Sequence, residues 1–258
     1  MFRWAYHWKE AVAGLTQAGC GLLFPPRCAS CEVDLVEDRE RSLLCGECLA
    51  KLGPETWPSC RRCGGMVNMV GCQPAHCPLC KNAPLHFDSA VTLGGYHAGL
   101  RAVILCMKRP SHDALSTAMG RLLALRRRCE LENIRADVVV PIPMFWTRRL
   151  RRGTNNPELL AVCLGSALNI PVQRRLLVRC RNTLPQVGLP PLRRFNNMRG
   201  AFRVRRGADI ENARILLVDD VLTTGATCSE AAKMLKQAGA SMVAVAVVAR
   251  AQGKDVVI

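Results

Sequence analysis

Long uninterrupted apolar segments are missing from this 258-residue chain, although 49% of its residues are hydrophobic. A helix that crosses a bilayer needs roughly 18–20 such residues in a row, so the sequence predicts no membrane span. Residues 11–24 come nearest, but Thr16, Gln17 and three glycines interrupt them. A lipoprotein-type cleavage site at Ala18-Gly19-Cys20 is the alternative, and Gln17 disfavours it by occupying an apolar position of such sites. We interpret residues 1–24 as a short helix that covers part of another surface.

An even number of cysteines, which a complete disulfide scaffold requires, is also lacking. Of the fifteen cysteines, eight form four Cys-x-x-Cys pairs between Cys28 and Cys80, and five are scattered from Cys106 onward. An odd total with many separate thiols is typical of a reducing compartment, where paired cysteines hold metal. We therefore expect a cytoplasmic protein.

Residues 25–84 lack an apolar period and are rich in Cys, Pro and Gly, so they need a constraint other than a core. Thirteen residues separate the two pairs in each of two units. Four thiolates suit tetrahedral Zn²⁺ and leave no position for water, so we predict two structural zinc ions in a double zinc ribbon. The ligands are Cys28, Cys31, Cys45 and Cys48 in the first unit and Cys60, Cys63, Cys77 and Cys80 in the second.

Alternatives remain open for this module. The pairs could be redox-active or oxidised, the two units could be cross-braced, and Cys72 or His76 could substitute as a ligand. Zinc ribbons also present loops to nucleic acid or protein, and the module has a modest basic surface that includes Arg61 and Arg62. Scaffolding is the simpler role.

Acidic residues are almost absent from residues 148–206, which contain fourteen arginines, no lysine and one glutamate. This segment therefore carries a charge of +13, out of +16 for the whole chain. Arginine presents a planar fork that suits phosphate, so the segment favours polyanions such as pyrophosphate, nucleotides or nucleic acid. A solvated basic surface is the alternative.

Beyond residue 84, buried strands and helices alternate, which predicts an α/β fold with a parallel sheet covered on both faces. Residues 181–206 show little apolar periodicity and are expected to form a long exposed loop. Helices are expected at Ala98–Lys108, at Leu115–Glu130, after an Asn156 cap, and at Thr227–Ala238; strands are expected at Asp137–Pro143, Arg214–Val218 and Met242–Ala249.

One segment combines an apolar strand, two carboxylates, a Thr/Gly loop and a helix. Its site residues are Asp219, Asp220, Val221, Leu222, Thr223, Thr224, Gly225, Ala226 and Thr227. Gly225 lets the backbone approach an anion, and a capping box of Thr227 and Glu230 would aim the first helix amides into the loop. Carboxylates accept hydrogen bonds from ribose hydroxyls, so the pattern indicates a sugar 5-phosphate. For an Asp-Asp pair alone, an acidic turn or a magnesium site is the alternative.

This pattern resembles the signature of type I phosphoribosyltransferases, which bind 5-phosphoribosyl 1-pyrophosphate (PRPP). Along most of its length the chain resembles the ComF/GntX family of competence-associated proteins. Further features that carry the resemblance are Tyr96, Lys108, Val140-Pro141-Ile142-Pro143, Arg148-Arg149-Leu150-Arg151-Arg152-Gly153, Thr183-Leu184-Pro185-Gln186, Arg194, Asn197, Gly200-Ala201-Phe202 and Ala249-Arg250. The chain departs from the family at Thr154 and Asn156, where Phe and Gln are usual.

The resemblance implies a type I phosphoribosyltransferase-like domain over residues 85–258, with PRPP and Mg²⁺ bound at Asp219–Thr227. Lys108 and Arg152 are implied as further PRPP ligands, and Asp219 and Asp220 as catalytic residues. The turn after the Val138–Ile142 strand is implied to contact pyrophosphate, and Arg181–Arg206 to form a mobile hood.

Two functions follow as hypotheses. The first is transfer of phosphoribose to a nucleobase-like acceptor, linked to DNA uptake in competence. The second is a non-catalytic adaptor that handles single-stranded DNA together with competence or DNA-processing proteins and uses PRPP as a regulatory ligand. A further hypothesis is that a mobile loop closes over pyrophosphate and that the same basic surface binds single-stranded DNA. Its residues are Arg181, Arg193, Arg194 and Arg199.

Overall fold

A four-stranded parallel sheet forms the centre of the computed structural model, which describes residues 26–35, 43–53, 58–67, 77–184 and 189–252. The strand order is β1-β6-β5-β2, and each neighbouring pair is parallel. The strands are β1 (Ser89–Gly95), β2 (Val138–Pro141), β5 (Arg214–Leu222) and β6 (Met242–Arg250). The predicted α/β class and parallel sheet are confirmed.

Both faces of this sheet are buried, as the apolar strands predict. Leu216 and Val218 of β5 join one core cluster, and Ile215 and Leu217 join the other. The helices of the first face are α2 (Ala98–Met107), α3 (Asp113–Arg126), α4 (Arg128–Ile134) and α6 (Asn156–Leu168), and α8 (Ala226–Gln237) lies on the second. Helix α5 (Trp146–Arg152) follows β2. No helix within the described ranges is long and apolar enough to cross a membrane.

The single helix predicted over Leu115–Glu130 is wrong, because α3 ends at Arg126 and α4 begins at Arg128. Arg127 leaves the helical conformation, with φ −116° and ψ 25°. Its buried guanidinium donates hydrogen bonds to the carbonyl oxygens of Thr92 (2.9 Å) and Leu93 (3.3 Å) in β1. The break therefore accompanies an attachment of the helical layer to the sheet.

Two element boundaries differ from prediction because tertiary contacts set them. Strand β5 continues past Val218 to Leu222, since it remains paired with β6 through Leu222 and Arg250. Helix α6 is capped by Asn155 rather than Asn156. The Asn155 side chain instead donates to the carbonyl oxygen of Ile142, at 3.1 Å, and so ties the start of α6 to the end of β2.

The long exposed loop predicted over residues 181–206 is also wrong, since ordered elements lie within and beside it. Strands β3 (Leu177–Arg179) and β4 (Phe202–Val204) form an antiparallel pair, and helix α7 (Pro191–Met198) lies between them in the chain. Met198 and Phe202 are buried in the second core cluster. These few apolar side chains anchor the segment without producing a visible period. Because β3 pairs with β4, we extend the hood from residues 181–206 to residues 177–206.

The cysteine module contains one described helix, α1 (Gly46–Lys51). Its first unit packs into the same core as α2, since Leu44 and Leu52 share a cluster with Leu100. The predicted helix at residues 1–24 lies outside the described residues, as do Cys72 and His76. The domain boundary after residue 84 stays a prediction.

Candidate active site and cysteine clusters

The two predicted carboxylates lie at the carboxyl end of β5, where adjacent parallel strands present ligand sites. Each side chain is partly buried and has one oxygen held by the next backbone amide. Asp219 Oδ1 accepts a hydrogen bond from the amide of Asp220 at 2.9 Å, and Asp220 Oδ1 accepts one from Val221 at 2.8 Å. These bonds orient both carboxylates.

Asp219 has an unusual protonation equilibrium. Burial, followed by the charge of Asp220, raises the pKa of Asp219 to about 8. Its Oδ2 atom lies 3.7 Å from the Sγ atom of Cys228, and the thiol donates to it. Burial and the charge of Asp219 raise the pKa of Cys228 well above its ordinary value, so Cys228 stays a protonated donor.

Lys108, which the resemblance implies as a PRPP ligand, lies beside the carboxylates. It caps the end of α2, and its Nζ atom lies 4.0 Å from Asp220 Oδ2. The backbone of Arg152 ends α5, but its side chain lies outside the described residues. The implied role of Arg152 therefore stays a prediction.

The loop after β5 has the backbone that an anion site needs. Gly225 has φ +85°, a conformation that favours glycine. A Cβ atom at this position would also lie only 2.8 Å from Leu85 Cδ2, so the space available favours glycine as well. Thr224 Oγ1 accepts a hydrogen bond from the amide of Ala226, the first residue of α8, at 3.4 Å. The positive end of the α8 dipole therefore adjoins the loop, where it favours a phosphate.

The predicted capping box of Thr227 and Glu230 is wrong. Gly225 is the N-cap of α8, so Thr227 lies inside the helix. The Glu230 carboxylate instead accepts a hydrogen bond from the amide of Gly200, at 2.6 Å. This bond joins α8 to the hood just before β4, a contact that the local Thr-x-x-Glu pattern could not anticipate.

The eight predicted metal ligands form two compact clusters. Cys28, Cys31, Cys45 and Cys48 make one, and Cys60, Cys63, Cys77 and Cys80 make the other, with all Sγ atoms of a cluster within 4.8 Å of one another. Each cluster thus combines consecutive pairs, which answers the open question of cross-bracing.

The geometry of the clusters fits zinc. Four sulfurs at about 2.3 Å from a tetrahedral Zn²⁺ lie about 3.8 Å apart. In the second cluster the Sγ atoms of Cys60 and Cys80 are 3.8 Å apart, and those of Cys63 and Cys77 are 3.4 Å apart. Burial acts to raise the pKa of Cys60, but backbone amides, led by that of Cys63, outweigh it and lower the pKa to about 7. This cluster can therefore supply thiolates to a metal ion.

Comparison with known proteins agrees with this organisation. The model of the phosphoribosyl transferase domain matches residues 180–257. Competence protein F of Haemophilus influenzae is 29% identical over 229 residues, which cover 87% of this chain and 97% of that protein. DNA utilization protein YhgH of Escherichia coli K12 is 29% identical over 218 residues, covering 78% of this chain and 94% of that protein.

The chain is similar to the ComF/YhgH proteins over most of its length and contains a phosphoribosyl transferase domain. Among solved structures, adenine phosphoribosyltransferase from Leishmania tarentolae has a TM-score of 0.36 and 15% identity, over 66% of this chain and 93% of that one. That likeness is too low to add to the assignment.

Two arginines that meet at Thr183 were not singled out as site residues by sequence reasoning. Arg179, at the end of β3, donates to Thr183 Oγ1 at 2.6 Å, and Arg148 of α5 donates to the Thr183 carbonyl at 2.9 Å. Burial and the charge of Arg148 lower the pKa of Arg179, while the charge of Asp219 opposes them. Their position among fourteen arginines gave no signal that separated them from the rest.

The four hood arginines proposed as a shared surface do not behave alike. Arg181, Arg193 and Arg199 are exposed. Arg194 is buried, and its Nε atom donates to the carbonyl oxygen of Leu189 at 2.8 Å. Arg194 therefore stabilises the hood from within, and its assignment to an open surface is wrong.

Proposed function

We propose that this chain binds PRPP with magnesium at Asp219–Thr227 and transfers the phosphoribosyl group to a nucleobase-like acceptor. The observation that carries the proposal is the placement of two oriented carboxylates directly before a positive-φ glycine and the start of α8. The carboxylates suit the ribose hydroxyls, and the loop and helix terminus suit the 5-phosphate. The phosphoribosyl transferase match over residues 180–257 supports the same ligand.

The cations around the pair supply what the leaving group requires. Breaking the bond between ribose C1 and pyrophosphate builds positive charge on the sugar and negative charge on pyrophosphate. Lys108, Arg148 and Arg179 are positioned to stabilise the departing pyrophosphate, and the carboxylates to stabilise the sugar cation. Bound magnesium would neutralise part of the pyrophosphate charge.

Calorimetry with PRPP and Mg²⁺ tests the ribose assignment. The double variant Asp219→Asn, Asp220→Asn is expected to bind more weakly by roughly 3–6 kcal/mol, because two hydrogen bonds to charged groups contribute about 1.5–3 kcal/mol each. Asp209→Asn is the control, since Asp209 lies outside the loop. Equal affinity of the double variant and the wild type would remove the ribose assignment. Pyrophosphate release with PRPP across a panel of nucleobases then tests catalysis.

A second candidate function is a non-catalytic adaptor for single-stranded DNA with PRPP as its regulatory ligand. Proteins that bind single strands combine basic grooves with aromatic side chains on which bases stack. The Trp146 side chain at the start of α5 is 63% exposed, and Leu150 one turn later is 77% exposed. Arg148 and the exposed hood arginines provide the charge. The names of the two relatives, which refer to competence and DNA utilization, favour the same partner.

Fluorescence anisotropy with a labelled oligodeoxythymidine distinguishes the two functions. If the adaptor function holds, Trp146→Ala weakens binding, and Arg193→Gln with Arg199→Gln lowers the slope of log affinity against log salt by about 0.7 for each phosphate that is no longer neutralised. Arg128→Gln is the control, because Arg128 lies on α4 and pairs with Glu132. DNA affinity that ignores salt and all these variants would exclude the adaptor. Cytoplasmic location stays part of the proposal, supported by the unpaired thiols.

A further inference from the structure

The second cysteine cluster is attached to the edge of the central sheet. The amide of Ala90 in β1 donates to the carbonyl oxygen of Arg61, at 3.0 Å, inside the Cys60-x-x-Cys63 turn. Thr92 Oγ1, in the same strand, donates to the carbonyl oxygen of Gly64 at 3.5 Å. This turn thus continues the hydrogen bonding of an edge strand, and its position depends on the four sulfurs that close it.

Arg250 lies between this cluster and residues 219–227, which we call the PRPP loop. The side chain is 7% exposed, and its Nη1 atom donates to the carbonyl oxygens of Leu222 (2.8 Å) and Ala251 (2.9 Å). Two residues further on, Gln252 Nε2 donates to the carbonyl oxygen of Met66 at 3.3 Å, so the chain that carries Arg250 lies against the Cys60–Cys63 unit. The Nε atom of Arg250 is buried and has no hydrogen-bond partner among the described residues.

A second connection reaches the other end of the loop through the segment that leaves the cluster. Arg62 donates to the carbonyl oxygens of Cys80 and Leu85, both at 3.4 Å. Leu85 packs behind Gly225, where any Cβ atom would meet it. Ser229, in the first turn of α8, donates to the carbonyl oxygen of Pro84 at 2.7 Å.

We propose that the second cysteine cluster, acting through Arg250 and the Pro84–Leu85 segment, positions the PRPP loop, so that metal bound there determines PRPP affinity. Two points within the loop, Leu222 and Gly225, are contacted by segments that in turn contact the cysteine unit. A four-thiolate zinc site carries a net charge of −2, which a buried guanidinium offsets. Arg250 is therefore a positioning residue. The inference rests on the proposed PRPP function for its effect on affinity, but not for its effect on the loop.

The first cluster provides the internal control. Its helix α1 packs through Lys51 against Gly99 at the start of α2, on the face of the sheet opposite α8. Loss of metal there is expected to leave the loop unchanged. Cys31→Ser and Cys60→Ser thus form a matched pair, in which each removes one thiolate from one cluster.

Two measurements on the full chain test the coupling. Hydrogen exchange of the peptide that contains residues 219–227 reports on the loop without any ligand, and calorimetry reports PRPP affinity. Arg250→Gln and Cys60→Ser are expected to speed exchange in this peptide and to weaken PRPP binding by about tenfold or more each, because a hydrogen bond from a charged group is removed or misplaced. Arg250→Lys should recover part of both effects, and Cys31→Ser should change neither by more than about twofold.

Each outcome decides the proposal. The proposal is overturned if Arg250→Gln exchanges hydrogen and binds PRPP as the wild type does. It is also overturned if exchange in β2 increases as much as exchange in residues 219–227, because that would mean a global loss of stability. If Cys60→Ser does not fold, Cys31→Ser measured before and after chelation decides instead, because chelation then removes metal from the second cluster alone. Unchanged exchange and affinity after that chelation overturn the proposal. If the wild type binds no PRPP yet the loop responds as expected, the proposed function fails and the coupling stands.

Discussion

The thiol of Cys228 faces the carboxylate of Asp219, with 3.7 Å between Sγ and Oδ2. One group comes from the first turn of α8 and the other from the end of β5, so the contact closes the base of the loop that joins these two elements. Because the pKa of Cys228 is raised well above its ordinary value, the thiol remains a donor while the carboxylate gains or loses its proton. The protonation of Asp219 is thereby linked to folding and to ligand binding.

The free energy of unfolding is expected to fall as pH rises, because Asp219 holds its proton more tightly in the folded chain than in the unfolded chain. Its pKa is raised from an ordinary 3.8 to about 8, so between these values the folded chain holds a proton that the unfolded chain has released. This contribution is complete below about pH 4 and is lost as pH approaches about 8. Urea unfolding across this range should show a falling free energy of unfolding. Asp219→Asn should remove the slope, while Asp209→Asn should keep it; an unchanged slope in Asp219→Asn would contradict the assignment.

Replacing Lys108 by Gln is expected to weaken PRPP binding by about tenfold to a hundredfold, because a charged hydrogen-bond donor contributes about 1.5–3 kcal/mol. Lys108 also lowers the pKa of Asp219, so its removal should shift the pH dependence of stability upward. Arg101→Gln is the matched control, since Arg101 is exposed on the same helix. If calorimetry gives the same PRPP affinity for the wild type, Lys108→Gln and Arg101→Gln, Lys108 is excluded from the site.

The purified chain is expected to contain two zinc ions when no chelator is used. Each cluster brings four Sγ atoms within 4.8 Å of one another, so a tetrahedral ion there requires no further ligand. Elemental analysis should give two zinc ions per chain for the wild type and one for Cys63→Ser. Chelation should lower the melting temperature, because ligation of such modules is part of their folding free energy. Metal-free protein with an unchanged melting temperature would contradict a structural role.

Arg127→Met is expected to destabilise the fold by about 2–4 kcal/mol, because it leaves two buried carbonyl oxygens of β1 without their donor. Arg128→Met is the control at the neighbouring position. Arg128 forms an exposed ion pair with Glu132, and such pairs contribute about 0–1 kcal/mol. Denaturant unfolding of the two variants should therefore differ clearly. Equal destabilisation would mean that the buried hydrogen bonds of Arg127 do not stabilise the sheet.

Several features of this protein follow from the sequence alone, because the chemistry lies within a few neighbouring residues. The Cys-x-x-Cys pairs predict two four-thiolate clusters, since a two-residue spacing is enough to aim two sulfurs at one ion. The apolar strands predict a sheet buried on both faces. The succession Asp219, Asp220 and Gly225 predicts the candidate site, since strand, loop and helix are consecutive.

Only the tertiary structure decided which distant residues complete the site. Lys108 and Asp220 are far apart in sequence, and they meet because each follows an element that ends at the same edge of the molecule. Glu230 binds the hood at Gly200 rather than its own helix cap, and Arg250 reaches Leu222 because β6 lies beside β5. Local patterns cannot encode these contacts, since the strand order β1-β6-β5-β2 arises from packing of the whole chain.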